Sequence, residues 1–185
     1  MMDLRHSLYM EHLEEISALY EQRLWLMDHD RLKWFDFVDL EYRLELHIDA
    51  LAESDMALAL CGKQALEGDF GECYGAVRVL GRCAQYDMLK DLICRMDEAD
   101  SKRMRGVSDA LCHESTLPVH DDFFQVLLKK DAERARIAAQ VISFHRLDFA
   151  TELYDTLNNF TTDKAVVLDI LYALGRLRPR YGRND

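Results

Sequence analysis

No apolar run in the 185-residue chain approaches the roughly 18 residues that a membrane-spanning helix needs. The start, Met1-Met2-Asp3-Leu4-Arg5-His6, also lacks the apolar stretch and cleavage site of a secretory signal. The cytoplasm is the expected address, with no membrane partner. Basic residues are outnumbered, 23 Lys and Arg against 34 Asp and Glu, for a formal charge of −11. A nucleic-acid binder carries the opposite surplus to neutralise phosphates, so nucleic acid is not an expected partner. With 49% hydrophobic residues the chain is too apolar for intrinsic disorder and long enough to bury one real core.

Cysteine pairs are missing too. Cys61, Cys73, Cys83, Cys94 and Cys112 include no C-x-x-C, and their odd number suits a disulfide framework poorly, so they read as small apolar residues in a reducing compartment. The chain has no H-E-x-x-H, no Glu-x-x-His and no G-x-S-x-G. Gly68, Gly71 and Gly75 neither follow a strand nor end in Lys-Ser or Lys-Thr, as a phosphate loop would. No catalytic residue, metal ligand or cofactor is therefore expected, and the chain reads as a non-enzyme. Glu11, His12 and Glu15 have helical metal-site spacing but read as a solvated face. His47, beside an apolar stripe, reads as an imidazole bonded to a neighbour. His120-Asp121 resembles the metal-binding dyad of all-helical phosphohydrolases, yet the nearest further histidine upstream, His113, is only seven residues away. A helical metal-dependent hydrolase is the alternative of another class, and metal bound through His12, His47 or His120 would carry it.

Two prolines and eight glycines leave few helix breaks, and apolar residues recur every three or four positions. Tyr9, Leu13, Ile16, Tyr20, Leu24 and Met27 mark one face of a long first helix. Phe37, Leu40, Leu44, Ile48 and Leu51 mark a second that can pack antiparallel on it. Ser54-Asp55 looks like the N-cap of a third, ending near Gly68. From Asp69 onward the sequence repeats. Asp69, Asp100, Asp131 and Asp163 are spaced by 31, 31 and 32 residues, and each is followed at seven, ten, eleven and twelve positions by apolar or small residues. Helix pairs at such a period must stack to bury their apolar sides. The aspartates would cap the first helices, and the small residues at positions ten and twelve would let neighbours approach closely.

The expected fold is all-α: an N-terminal helical hairpin plus third helix over residues 1–67, then about three and a half HEAT-like repeats of an α-solenoid over 68–180, packed as one continuous domain, and a frayed tail over 181–185. The truncated last repeat leaves an apolar end around Leu168, Leu171 and Leu174 that a second copy could cap as a homodimer.

Charge is uneven along the chain. Residues 1–66 carry 14 acidic and 6 basic side chains, and the remaining residues carry 20 and 17. Around the first hairpin turn acid is interleaved with aromatics: Trp25, Asp28, Asp30, Trp34, Phe35, Asp36, Phe37 and Asp39. Trp25, Trp34 and Phe35 are expected first to close the hairpin core; the competing reading makes them anchors for a basic protein steered by the acidic rim. The candidate partner-binding residues are Glu11, Glu14, Trp25, Asp28, Asp30, Trp34 and Asp36, with Asp91, Asp121, Asp122 and Glu152 on the second helices of the repeats.

Glu11-His12-Leu13-Glu14-Glu15, Arg23, and the run Leu40 to Leu51 carry a family resemblance. Within that run Arg43-Leu44-Glu45-Leu46-His47-Ile48-Asp49-Ala50-Leu51 follows the pattern R-L-x-x-H-(L or I)-D-G-L, with Ala50 where glycine is usual. These residues resemble a family of HEAT-like repeat proteins of Gram-negative bacteria, often encoded beside type VI secretion genes and without an assigned activity. The resemblance covers residues 10 to about 100. Its members are generally longer, so a short variant or a fragment is expected. It implies no catalytic residues. It does imply one of two protein-binding roles: an immunity protein that neutralises a toxic, basic, nuclease-type effector, or an adaptor that loads an effector onto the secretion machinery.

Overall fold

The computed structural model describes residues 4–28, 33–114 and 122–177, except for the side chain of Trp34. Regular structure among them is entirely helical: α1 (Leu4–Met27), a 3₁₀ turn (Trp34–Phe37), α2 (Val38–Ala52), α3 (Asp55–Glu67), α4 (Phe70–Arg82), α5 (Tyr86–Arg95), α6 (Ser101–His113), α7 (Phe123–Lys130), α8 (Ala132–His145), α9 (Ala150–Asn159) and α10 (Lys164–Leu177). The fold class is all-α. No helix among the described residues is long and apolar enough to cross a membrane. The chain divides into two units, Met1–Leu117 and Pro118–Asp185.

All four recurring aspartates start helices, and each satisfies backbone N–H groups that the first turn leaves without partners. Asp69 accepts from the Glu72 N–H at 2.7 Å while Glu72 accepts from the Asp69 N–H at 2.9 Å, a full capping box. Asp100 accepts from Arg103 at 3.1 Å, Asp131 from Arg134 at 3.0 Å, and Asp163 from Ala165 and Val166 at 3.0 and 3.1 Å. Seven and ten positions after these aspartates, Ala76, Val107, Ala138 and Ile170, then Val79, Ala110, Val141 and Ala173, are fully buried. Ser54, by contrast, stands at the N-cap of α3 without a side-chain capping bond.

In the first unit α4 is central, packing on α1, α2, α3, α5 and α6. Leu13, Ile16 and Tyr20 of α1 and Leu40, Leu44, Ile48 and Leu51 of α2 are buried as their spacing predicts, whereas Met27 is exposed. Glycines outside the tenth and twelfth positions also permit close helix approach. A Cβ on Gly71 would stand 2.7 Å from Ser17 Cα, one on Gly75 2.6 Å from Ile16 Cγ2, and one on Gly106 2.9 Å from the Phe70 carbonyl oxygen. These glycines seat α1 on α4 and α6 on α4. Of the two glycines at the twelfth position, Gly81 is tight, an added Cβ falling 3.1 Å from Glu114 Cγ, while Gly175 faces open space. In the second unit α7 packs on α8 and α9, and α10 on α8 and α9. Phe123, Phe124 and Phe149 meet edge to face in its core.

Candidate functional site

Helix α2 carries three rows of residues with different fates. Leu40, Leu44, Ile48 and Leu51 fill the core. Glu41, Glu45 and Asp49, also at four-residue steps, meet arginines. Glu41 takes Arg23 Nε at 2.6 Å, Glu45 takes Arg78 and Arg82 at 2.6 Å each, and Asp49 pairs with Arg82. The third row, Val38, Tyr42 and Leu46, points to solvent, with Tyr42 64% exposed.

The arginine row anchors that third face to a rigid base. Arg78 and Glu114 are each only 2% exposed and pair directly, and Arg78 also donates to Tyr74 Oη at 2.9 Å. Arg82 Nη2 adds a contact to Glu114 at 3.2 Å. Burial works against ionised Glu45, but hydrogen bonds and charge from Arg82 and Arg78 outweigh it and hold its carboxyl below the usual range. Tyr74 stacks on Tyr20 with ring centroids 3.9 Å apart, and Tyr20 donates to Asp109 at 2.7 Å. Burial pushes the Tyr74 phenol up to about 12. Arg23 Nη2 lies 3.1 Å from His113 Nε2, which must therefore accept, and Nδ1 then donates to Tyr74 Oη at 3.0 Å.

Ion pairs from Arg23 to Glu41 and from Arg43 to Glu15, the latter at 3.6 Å, set α1 antiparallel to α2. That register brings the C-terminal end of α1 level with the start of α2. Trp25 is 61% exposed, and Met27, Phe35 and Val38 are exposed with it. The expectation that Trp25 and Phe35 close the hairpin core is therefore overturned: the core at this level is already filled by Leu19, Tyr20 and Leu40. Lys33 Nζ sits 5.6 Å from the Phe35 ring centroid. Asp28, Asp36 and Asp39 are exposed around this apolar end.

The sequence-predicted residues separate in space. Trp25, Asp28 and Asp36 share this end of the α1–α2 pair. Glu11 and Glu14 lie on the N-terminal half of α1, roughly 15–20 Å from Trp25 along the helix, where they line a shallow pocket of about 310 Å³ with Leu8, His12, Glu15 and His47. Asp91, exposed on α5, reaches Arg95 at 3.6 Å. Asp122 is the N-cap residue of α7 and Glu152 lies in the first turn of α9, both in the second unit. Asp30, His120, Asp121 and the Trp34 side chain lie outside what the structure describes. The Val38, Tyr42 and Leu46 row escaped the sequence reading, although a second four-residue apolar step offset from Leu40, Leu44 and Ile48 was there to find it.

His47 is bonded to a neighbour, as expected, but the neighbour is His12: the two Nδ1 atoms are 2.8 Å apart, so one donates and the other accepts. Burial lowers the His47 pKa, His12 and Arg43 add to the lowering, and Glu15 opposes it; Glu11 and Glu14 also line the same pocket. Because the unfolded chain takes up this proton first as pH falls, stability is expected to decline below about pH 6.5. Urea midpoints at about pH 7.5 and about pH 5.5 test this, and His47→Gln should flatten the difference. The Glu45 contribution runs the same way but persists until pH falls through the carboxylate range.

Among the described residues no three His, Cys, Asp or Glu side chains are placed to hold a metal ion. Burial pushes the Cys61, Cys73 and Cys112 thiols up to about 12, which disfavours the nucleophilic thiolate. Compared with protein-family models, curated proteins and solved structures, the chain matches none. Exposed aromatic and aliphatic side chains, rimmed by carboxylates and fixed through ion pairs that reach the buried Arg78, have the composition of a protein-docking face.

Proposed function

We propose that the chain is a non-enzymatic, HEAT-like protein-binding module whose outer α2 face takes a basic protein partner. The observation that carries this is the exposed row Phe35, Val38, Tyr42 and Leu46 beside Trp25, with Asp28, Asp36 and Asp39 around it. Apolar anchors supply affinity and an acidic rim steers a cationic partner. The repeat reading is supported by the four capping aspartates, the buried seventh and tenth positions after them, and the packing of α4 on α6 and of α8 on α10. With the resemblance to type VI secretion neighbours, the role this suits best is an immunity protein that covers a basic, nuclease-type effector.

The test is the complex with the effector encoded beside the gene. Tyr42→Ala is expected to weaken it about 30-fold, the cost of losing a central aromatic anchor. Asp36→Lys with Asp39→Lys should slow association about tenfold at low salt and much less at high salt. Charge reversal at Glu11 and Glu14, roughly 15–20 Å along α1 from Trp25, should change the rate less. Absence of a complex, or one indifferent to Tyr42 and both aspartates, overturns the reading.

A further inference from the structure

Two half-buried imidazoles face each other across the α1–α2 pair. His12 of α1 and His47 of α2 stand with ring centroids 5.1 Å apart and ring planes at 61°, and the same nitrogen of each ring, Nδ1, meets the other at 2.8 Å. Both rings line the pocket of about 310 Å³ that they share with Leu8, Glu11, Glu14 and Glu15. Imidazole nitrogens that converge from two different helices are a start on a transition-metal site as well as a hydrogen bond.

The separation selects among metals. Two imidazole nitrogens bound about 2.0–2.1 Å from one ion lie about 2.9 Å apart when they meet it at a right angle, and about 3.3 Å apart at the tetrahedral angle of zinc. The observed 2.8 Å is close to the right-angle value. Right-angle nitrogen and oxygen donors suit nickel(II) and copper(II). We propose that His12 and His47 are the nitrogen half of a site for such an ion, which bridges α1 and α2 through the two Nδ1 atoms. The ion holds two helices together, and no reaction is assigned to it.

Oxygen completes the set. Glu15 follows His12 by three positions and Glu11 by four, which puts the three on one side of α1. Among the described residues no carboxylate already stands as a third ligand, because Glu15 is turned to Arg43 at 3.6 Å with both side chains more than half exposed. An exposed pair of that kind is weak, so Glu15 can leave Arg43 for the ion, and water fills the remaining positions. Glu11, Glu14 and Glu15 give the pocket a negative field that Arg43 opposes only in part. Both nitrogens must offer lone pairs at once. In the metal-free pair one ring carries its proton on Nδ1 and donates, while the other accepts. Binding moves the donor's proton to its own Nε2 by way of solvent, so both rings stay neutral and no net proton is lost. The pair lies about 20 Å along α1 from Trp25, so this site and the docking face of α2 fail independently.

Calorimetric titration of the full chain with nickel(II) chloride tests this. Nickel is the probe because copper(II) oxidises thiols such as the half-buried Cys94. One site of micromolar affinity is expected, with zinc bound more weakly. His12→Gln and His47→Gln should each weaken nickel binding by about tenfold or more, at least the loss that follows removal of an outer partner of a metal ligand. His145→Gln, in the second unit, should leave it unchanged. At saturating nickel the thermal unfolding midpoint of the parent chain should rise by about 5 °C, and those of the first two variants should not. Circular dichroism checks that the variants fold. Independently of them, paramagnetic nickel should broaden the imidazole proton signals of His12 and His47 before those of other histidines. No saturable binding up to about 1 mM, parental affinity in either folded variant, zinc bound more tightly than nickel, or first broadening at other histidines overturns the proposal.

Discussion

Arg78→Ala is expected to lower the free energy of unfolding by about 3–5 kcal/mol. Among the described residues Arg78 is the largest fully buried side chain, and its guanidinium joins three elements. It pairs with Glu114 after α6, donates to Tyr74 on its own helix at 2.9 Å, and reaches Glu45 of α2 at 2.6 Å. Truncation leaves the Glu114 carboxylate, 2% exposed, with Arg82 as its partner among the described residues, and strips Tyr74 Oη of a donor. A buried charge without its partner costs far more than the pair itself contributes. The double variant Arg78→Met with Glu114→Leu should therefore recover most of the loss, because it removes both charges and keeps the volume. Urea denaturation of the two single variants and the double variant measures the coupling. A single-variant loss below about 1 kcal/mol would show that water reaches Glu114 and that the network is peripheral.

Gly71→Ala is the second large effect, and its sign is the test. On helix propensity alone the change would stabilise α4 by up to about 1 kcal/mol. The added Cβ, however, would fall 2.2 Å from Ser17 Oγ and 2.7 Å from Ser17 Cα. A hydroxyl can rotate away, but a main-chain carbon yields only if α1 moves. Ser17 also donates to Asp69 at 2.9 Å, so displacing α1 disturbs the N-cap of α4. A net destabilisation of about 1–3 kcal/mol is expected. Gly106→Ala, facing the Phe70 carbonyl oxygen, should behave alike, whereas Gly175→Ala should stabilise. Thermal unfolding of the three variants separates close helix approach from propensity. If all three shift in the same direction, close approach does not govern this packing.

Much of the helical layout was legible because it is written in local chemistry. An aspartate that caps a helix does so through bonds to the next three residues, so Asp69, Asp100, Asp131 and Asp163 announced four helix starts without tertiary information. The buried stripes of α1 and α2 were readable for the same reason: a period near 3.6 residues places Leu13, Ile16 and Tyr20, or Leu40, Leu44 and Ile48, on one side of a helix. The candidate surface was half legible. Acid and aromatic residues crowd the first hairpin in the sequence, but whether Trp25 is core or surface depends on what else competes for the interior. Leu19, Tyr20 and Leu40 take that space.

By itself the sequence determined an all-helical chain, its helix starts, the stripe each helix buries and the uneven placement of its charge. These follow from backbone geometry and from the preference of apolar side chains for one face. Only the tertiary structure decided which glycines bring helices together, that Arg78 belongs to the interior, that His12 and His47 share a hydrogen bond, and that α2 keeps an apolar row for solvent. Each depends on a partner 33 to 59 positions away, as with Arg78 and Glu45 or Gly75 and Ile16. Spacing along one helix records a direction; it does not record what stands in that direction.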